Sequence, residues 1–219
     1  MHKYRLRFKK TGRSVYISHL DLMRTMQRAF LRAALPIKYS EGFNPHALIS
    51  ILLPLPLGME SVCELMDFRL AQELPCGEIC QRLSAALPEG IRALEVCQSE
   101  QKSKYLKWLA VEGFLEYDSG DAKQVAEDVK AFFAAPEINV TRKTKRGEGE
   151  IDLVPHLKNL QIETAKGGLS ISCIVSAQEP TINPELLCSA LRQSAPQLAP
   201  DFASWKRTEN YCEDMVKFV

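Results

Sequence analysis

The chain has 219 residues, is 46% hydrophobic and 25% charged, and carries a net charge of +1. This is the profile of an ordinary globular protein, long enough for one large domain or two small ones. Its apolar runs fall far short of the roughly 20 residues a membrane helix needs, and the opening MHKYRLRFKK has no apolar signal-peptide core, so a cytoplasmic protein with no membrane partner is expected.

In chain order, KYRLRFKK alternates charged and apolar residues with period two, the pattern of a half-buried strand with a solvated charged face. SHLDLMRTMQRAFLRAAL follows at helical period, with Ser18 and Asp21 spaced as a capping box. HALISILLPL and CELMDFRLA read as strands, CGEICQRLSAAL as a second helix ended by Pro88 and Gly90, and IRALEVCQSE as a closing strand. That order is β-α-β-β-α-β, the split βαβ unit of ferredoxin-like folds.

The second half repeats that order more loosely. YLKWLAVEGFLEY reads as a strand, DAKQVAEDVKAFFAA as a helix started by Asp121, and INVTRKTKRGEGEIDL as a strand entering a glycine-containing hairpin. LQIET and LSISCIVSA flank the turn signal at Lys166-Gly167-Gly168, NPELLCSALRQSA is a helix with Pro184 in its first turn, and ASWKRTENYCE is a strand. The expected fold is therefore α+β, two tandem ferredoxin-like (βαββαβ) domains over residues 1–100 and 104–219.

The small net charge conceals an uneven distribution. Residues 1–46 hold ten Lys and Arg against Asp21 and Glu41, an excess of +8, while residues 47–141 carry −7. A basic end of this kind suits a polyanion held on one face. On the first helix Leu22, Met23, Met26, Ala29, Phe30 and Ala33 share one side, and Arg24, Arg28 and Arg32 form a stripe about 12 Å long on the other. The stripe is spaced to bond the phosphates of a nucleic-acid strand, or it is the helix's solvated face. Asp21 and Ser18 fit capping better than chemistry.

Behind that helix lies YSEGFNPH. Gly42 and Asn44-Pro45 account for a turn, which leaves Tyr39, Phe43 and His46 to explain. An aromatic ring on a loop stacks on an unpaired base, and a histidine bonds phosphate or moves a proton near neutral pH. The alternative is that Phe43 plugs the core. A second basic element, Arg142, Lys143, Lys145 and Arg146, enters the Gly147–Gly149 turn, either as a finger on an RNA backbone or as an edge strand protected by charge.

No phosphate-loop, dinucleotide-binding or nucleophile-elbow motif is present. Seven scattered cysteines, an odd count, point to reduced thiols. Cys76 and Cys80 form the only close pair, and Leu83 stands where a third iron–sulfur ligand would be wanted. His19, Asp21 and His46 have no local metal-ligand spacing. Neither a metal nor another cofactor is expected.

The combination of SHLDL at 18–22, SEGFNPH at 40–46 and LPLGMES at 55–61, followed by CELMDF, resembles a bacterial domain of unknown function, the radical SAM-linked protein family, whose members are encoded beside a radical SAM protein or fused to its end. The basic hairpin also looks like the family. Ala47 stands where proline is expected in many relatives, which leaves the loop's exit less rigid. The resemblance implies an accessory role beside a radical SAM enzyme and supplies neither substrate nor catalytic residues. The expected function is an RNA-binding protein that presents tRNA or rRNA to that partner, the arginine stripe holding phosphates, Tyr39, Phe43 and His46 meeting a base or ribose, and Arg142–Arg146 anchoring a stem. Two alternatives stand beside it. One is a metal-independent endoribonuclease of the repeat-associated RNA-processing type, suggested by fold analogy alone, with His19 or His46 as acid or base. The other is a module that docks on the radical SAM protein and never touches RNA.

Overall fold

The computed structural model describes residues 2–144 and 147–219, with Lys143 and Thr144 described by backbone alone. The protein is α+β and divides into two compact units, Met1–Leu106 with Val216–Val219, and Lys107–Met215.

The first unit runs β1 (His2–Lys10), a 3-10 turn (Gly12–Tyr16), α1 (His19–Arg32), β2 (Ile49–Ile51), β3 (Glu60–Leu70), α2 (Cys76–Ala86) and β4 (Ile91–Gln98). Its strands lie in the order β4-β1-β3-β2, every neighbouring pair antiparallel. Tyr4, Leu6 and Phe8 project from one face of β1 into a core with Met66 and Phe68 of β3, Leu22, Met26 and Phe30 of α1, and Ile79 and Leu83 of α2. Tyr4 stacks on Phe68, and Phe30 packs against the same ring at 4.9 Å. The apolar stripe of α1 thus faces the sheet, as its periodicity requires. β2 is shorter than its apolar run because Pro54 and Pro56 follow it and cannot donate to a ladder.

The other face of β1 departs from expectation. Arg5 is only 1% exposed, and Lys10, at the end of the core row, 2%. Arg5 is buried because every arm of its guanidinium finds an acceptor. Nε and Nη2 donate to the two carboxylate oxygens of Asp67, its partner on β3, at 2.6 and 3.0 Å, Nη2 also to the Gln101 carbonyl and Nη1 to the Val219 carbonyl. The ring of Phe218 lies 4.7 Å from the guanidinium carbon, adding a cation–π contact. Lys10 sits beyond a bulge in the β1–β3 ladder, and its Nζ donates to the carbonyls of Val15 and Ile17. Burial pushes its pKa down and buried Glu64 partly offsets this.

The helix ends in this unit brace each other. Arg32 donates from Nε and Nη2 to the carbonyl of Ala86, the last residue of α2. Arg82 of α2 donates to the carbonyls of Ala33 and Ala34 just past α1. Each arginine therefore satisfies carbonyls that a helix C-terminus leaves unpaired.

The second unit runs β5 (Trp108–Glu116), α3 (Ala122–Phe133), β6 (Asn139–Thr144), β7 (Gly147–Asp152), β8 (Leu157–Ala165), β9 (Gly168–Ser176), α4 (Glu185–Ser194) and β10 (Phe202–Tyr211). β10-β5-β9-β8 form one antiparallel ladder series, and β6-β7 pair apart as a hairpin. Leu109, Val111, Leu169, Ile171 and Val175 are buried. Gln193 of α4 clasps the hairpin, accepting from the Thr141 N–H and donating to its carbonyl.

Candidate nucleic-acid interface

α1 begins as its sequence dictates. Ser18 Oγ accepts the Asp21 N–H at 3.2 Å while its hydroxyl donates to the Asp21 carboxylate at 2.7 Å. Arg24 adds an ion pair to Asp21 at 3.0 Å. The Ser18 bond first, and Arg24 second, hold the Asp21 carboxyl below its ordinary range. His19 is exposed in the first turn.

The arginine stripe is exposed, yet its members are differently committed. Arg24 is paired with Asp21 and Arg32 with Ala86. Arg28 alone of the three makes no hydrogen bond or ion pair among the described residues.

The YSEGFNPH segment is a pinned loop. Lys38 donates its N–H to the Arg69 carbonyl and accepts the Leu48 N–H; Tyr39 bridges Ala47; and Ser40 donates its N–H to the His46 carbonyl. Ser40 Oγ accepts the His46 N–H at 3.0 Å and lies 2.9 Å from His46 Nδ1. When the Ser40 hydroxyl donates to Nδ1, the neutral ring carries its proton on Nε2, free to bond an acceptor. Gly42 takes a φ of 116° at the tip, a region that side-chain-bearing residues avoid. Phe43 beside it is fully exposed, at 110% of its reference area, and Tyr39 is also exposed.

His46 opens onto a groove of about 720 Å³ in the first unit. Its cationic walls are Lys3, Arg69, Lys102 and Lys104; its acids are Glu100 and Asp67, and Asp67 is already bonded to Arg5. The Ser99–Gln101 wall is tied to the same guanidinium through Ser99 Oγ and the Gln101 carbonyl. Lys3 and Arg69 are cross-strand partners, so the floor is set by the β1–β3 register. The structure thus brings His46 to a basic groove that no arginine of α1 lines, and Tyr39, Phe43 and His19 are not among its walls either. Lys3, Lys102 and Lys104 escaped sequence reasoning. Lys102 and Lys104 lie at the expected joint between domains, where the spacing Lys-x-Lys was the only signal.

At the second basic element, Arg142 donates to the Thr181 carbonyl and Lys143 stands opposite Glu148 in the hairpin register. Lys145 and Arg146 lie outside the described residues. Among the described residues, no three His, Cys, Asp or Glu side chains are placed to hold a metal ion, and no helix is long and apolar enough to cross a membrane.

A protein-family profile described as "uncharacterized protein conserved in bacteria (DUF2344)" matches residues 3–184. The chain belongs to this family. The DUF2344 match takes in every residue of the groove and the pinned loop, and it stops at the start of α4. A comparison with curated proteins gives no match.

Proposed function

We propose that the protein is an accessory RNA-binding protein that presents tRNA or rRNA to a partner radical SAM modification enzyme, its two units being tandem ferredoxin-like domains. The strand orders β4-β1-β3-β2 and β10-β5-β9-β8, each from a β-α-β-β-α-β path with the β6–β7 hairpin inserted in the second, support the fold half of the proposal. The partner half rests on the resemblance carried by SHLDL, SEGFNPH and LPLGMES.

The observation that carries RNA binding is the pairing of a fully exposed Phe43 with His46 at the base of the same loop, beside a groove walled by four cations. A phosphodiester would lie against Lys3, Arg69, Lys102 and Lys104, and an unpaired base would stack on Phe43. Arg28 offers a further uncommitted phosphate contact. The endoribonuclease reading has less support, because only one of the two candidate histidines borders the groove.

Fluorescence anisotropy with labelled tRNA and single-stranded RNA across a salt series tests the proposal. Log affinity should fall linearly with log salt, and Lys102→Gln with Lys104→Gln should flatten the slope by roughly 0.7–0.9 per lost phosphate contact. Absence of RNA binding at low salt, with a radical SAM protein still captured by the same chain, would leave a pure docking module instead.

A further inference from the structure

We propose that a second groove of the first unit, distinct from the one beside His46, is a phosphate-binding site built on Lys9, Arg13 and Arg92. The groove encloses about 870 Å³ between the turn that follows β1 and the turn that leads from α2 into β4. This inference rests on different residues from the RNA reading and does not depend on it.

Three observations converge. Lys9 and Arg92 are direct cross-strand partners in the β1–β4 ladder, an arrangement of like charges that costs stability unless something neutralises it. None of the Lys9, Arg13 and Arg92 side chains makes a hydrogen bond or ion pair among the described residues. Glu89 is the only acid on the walls; Glu60 lies nearby, off the walls, where it accepts the Gly12 N–H. Three cations therefore line the groove against one acid, an excess of positive charge on its walls.

The scaffold beneath them is rigid. Thr11 donates its N–H to the Gly90 carbonyl at 2.9 Å, and the Ser14 hydroxyl lies between the carbonyls of Gly90 and Thr11 at 3.0 and 2.9 Å. Gly90 has a φ of 84°, and a Cβ there would meet Thr11 O at 2.7 Å and Ser14 Cβ at 2.8 Å. The two turns are joined at the floor, so the backbone that carries Arg13 is tied to the turn that leads into the strand of Arg92. A carboxylate fills a single guanidinium fork, whereas donors arriving from one turn and two strands suit a ligand with several oxygens and more than one negative charge. Phosphate is that ligand.

The test uses isotope-labelled full-length protein titrated with inorganic phosphate at constant ionic strength. Saturable shifts are expected at the backbone amides of residues 9–13 and 89–92. Arg92→Gln should weaken the response about tenfold while leaving the melting temperature equal or higher, since it relieves the Lys9–Arg92 repulsion. Competition at these amides by an RNA oligomer without terminal phosphates would assign the site to a phosphodiester backbone. Competition by a nucleoside monophosphate alone would assign it to a phosphate monoester. Shifts that do not saturate, or that are the same in Arg92→Gln, would overturn the proposal, whatever the RNA titrations show.

Discussion

Phe43 is the residue on which the proposed binding role of the loop turns. Its ring touches solvent on all sides, so Phe43→Ala should change stability by less than about 0.5 kcal/mol, unlike the loss expected of a core aromatic. RNA affinity should fall by about 1–3 kcal/mol, roughly 5- to 150-fold, if the ring stacks on a base. Thermal melts and RNA titrations on one variant separate these outcomes, and a large fall in melting temperature with unchanged affinity would return Phe43 to the core. Asp21 gives a pH test at the same scale. Its carboxyl is held below the ordinary 3.8 by Ser18 and then Arg24, so its stabilising effect is complete above that value and fades as pH falls through the lower folded one. The melting temperatures of wild type and Asp21→Asn should therefore differ near neutrality and converge as pH falls below the ordinary carboxylate range. A gap that persists in acid would deny the carboxylate its capping role.

The helices show how far local pattern reaches. The buried face of α1 and its Ser18 cap were both legible, because periodicity and capping are settled within a few neighbouring residues. The commitments of the arginines were not: Arg32 and Ala86 lie 54 residues apart, and only the packing of α1 on α2 brings them together. The stripe is consequently two kinds of residue in one row. Arg32→Gln should cost about 1 kcal/mol by unpairing the end of α2, whereas Arg28→Gln should leave chemical denaturation curves unchanged and weaken RNA binding with a flatter salt dependence. Equal effects of the two substitutions on stability would refute this division. The β6–β7 hairpin was legible but its turn was misplaced, since Gly147 and Gly149, expected to form the turn, pair in β7 with Thr144 and Arg142; and the clasp of Gln193 on Thr141 joins positions that no local rule connects.

For the molecule as a whole, the element order was readable and the fate of the charges was not. A period-two strand implies a solvated charged face, yet Arg5 is enclosed by Asp67, Gln101, Phe218 and Val219, contributed by distant parts of the chain. The excess of +8 near the start therefore overstates the cation available to a ligand, since Arg5 and Lys10 stabilise the fold. Arg5→Ala should lower unfolding free energy by about 3 kcal/mol or more, because it leaves carbonyls unpaired and opens a void. A urea midpoint matching wild type would show that the enclosure matters little. The position of β1 between β3 and β4 has a further consequence, in time. Ile91, which pairs with Lys10, is synthesised about 80 residues later, roughly 4–16 s at 5–20 residues per second. Throughout that interval the strand bearing Tyr4, Leu6 and Phe8 is a bare edge on a nascent chain. Chaperone depletion should therefore lower the yield of folded protein by aggregation during synthesis, while the molecules that do fold keep full affinity for their ligands.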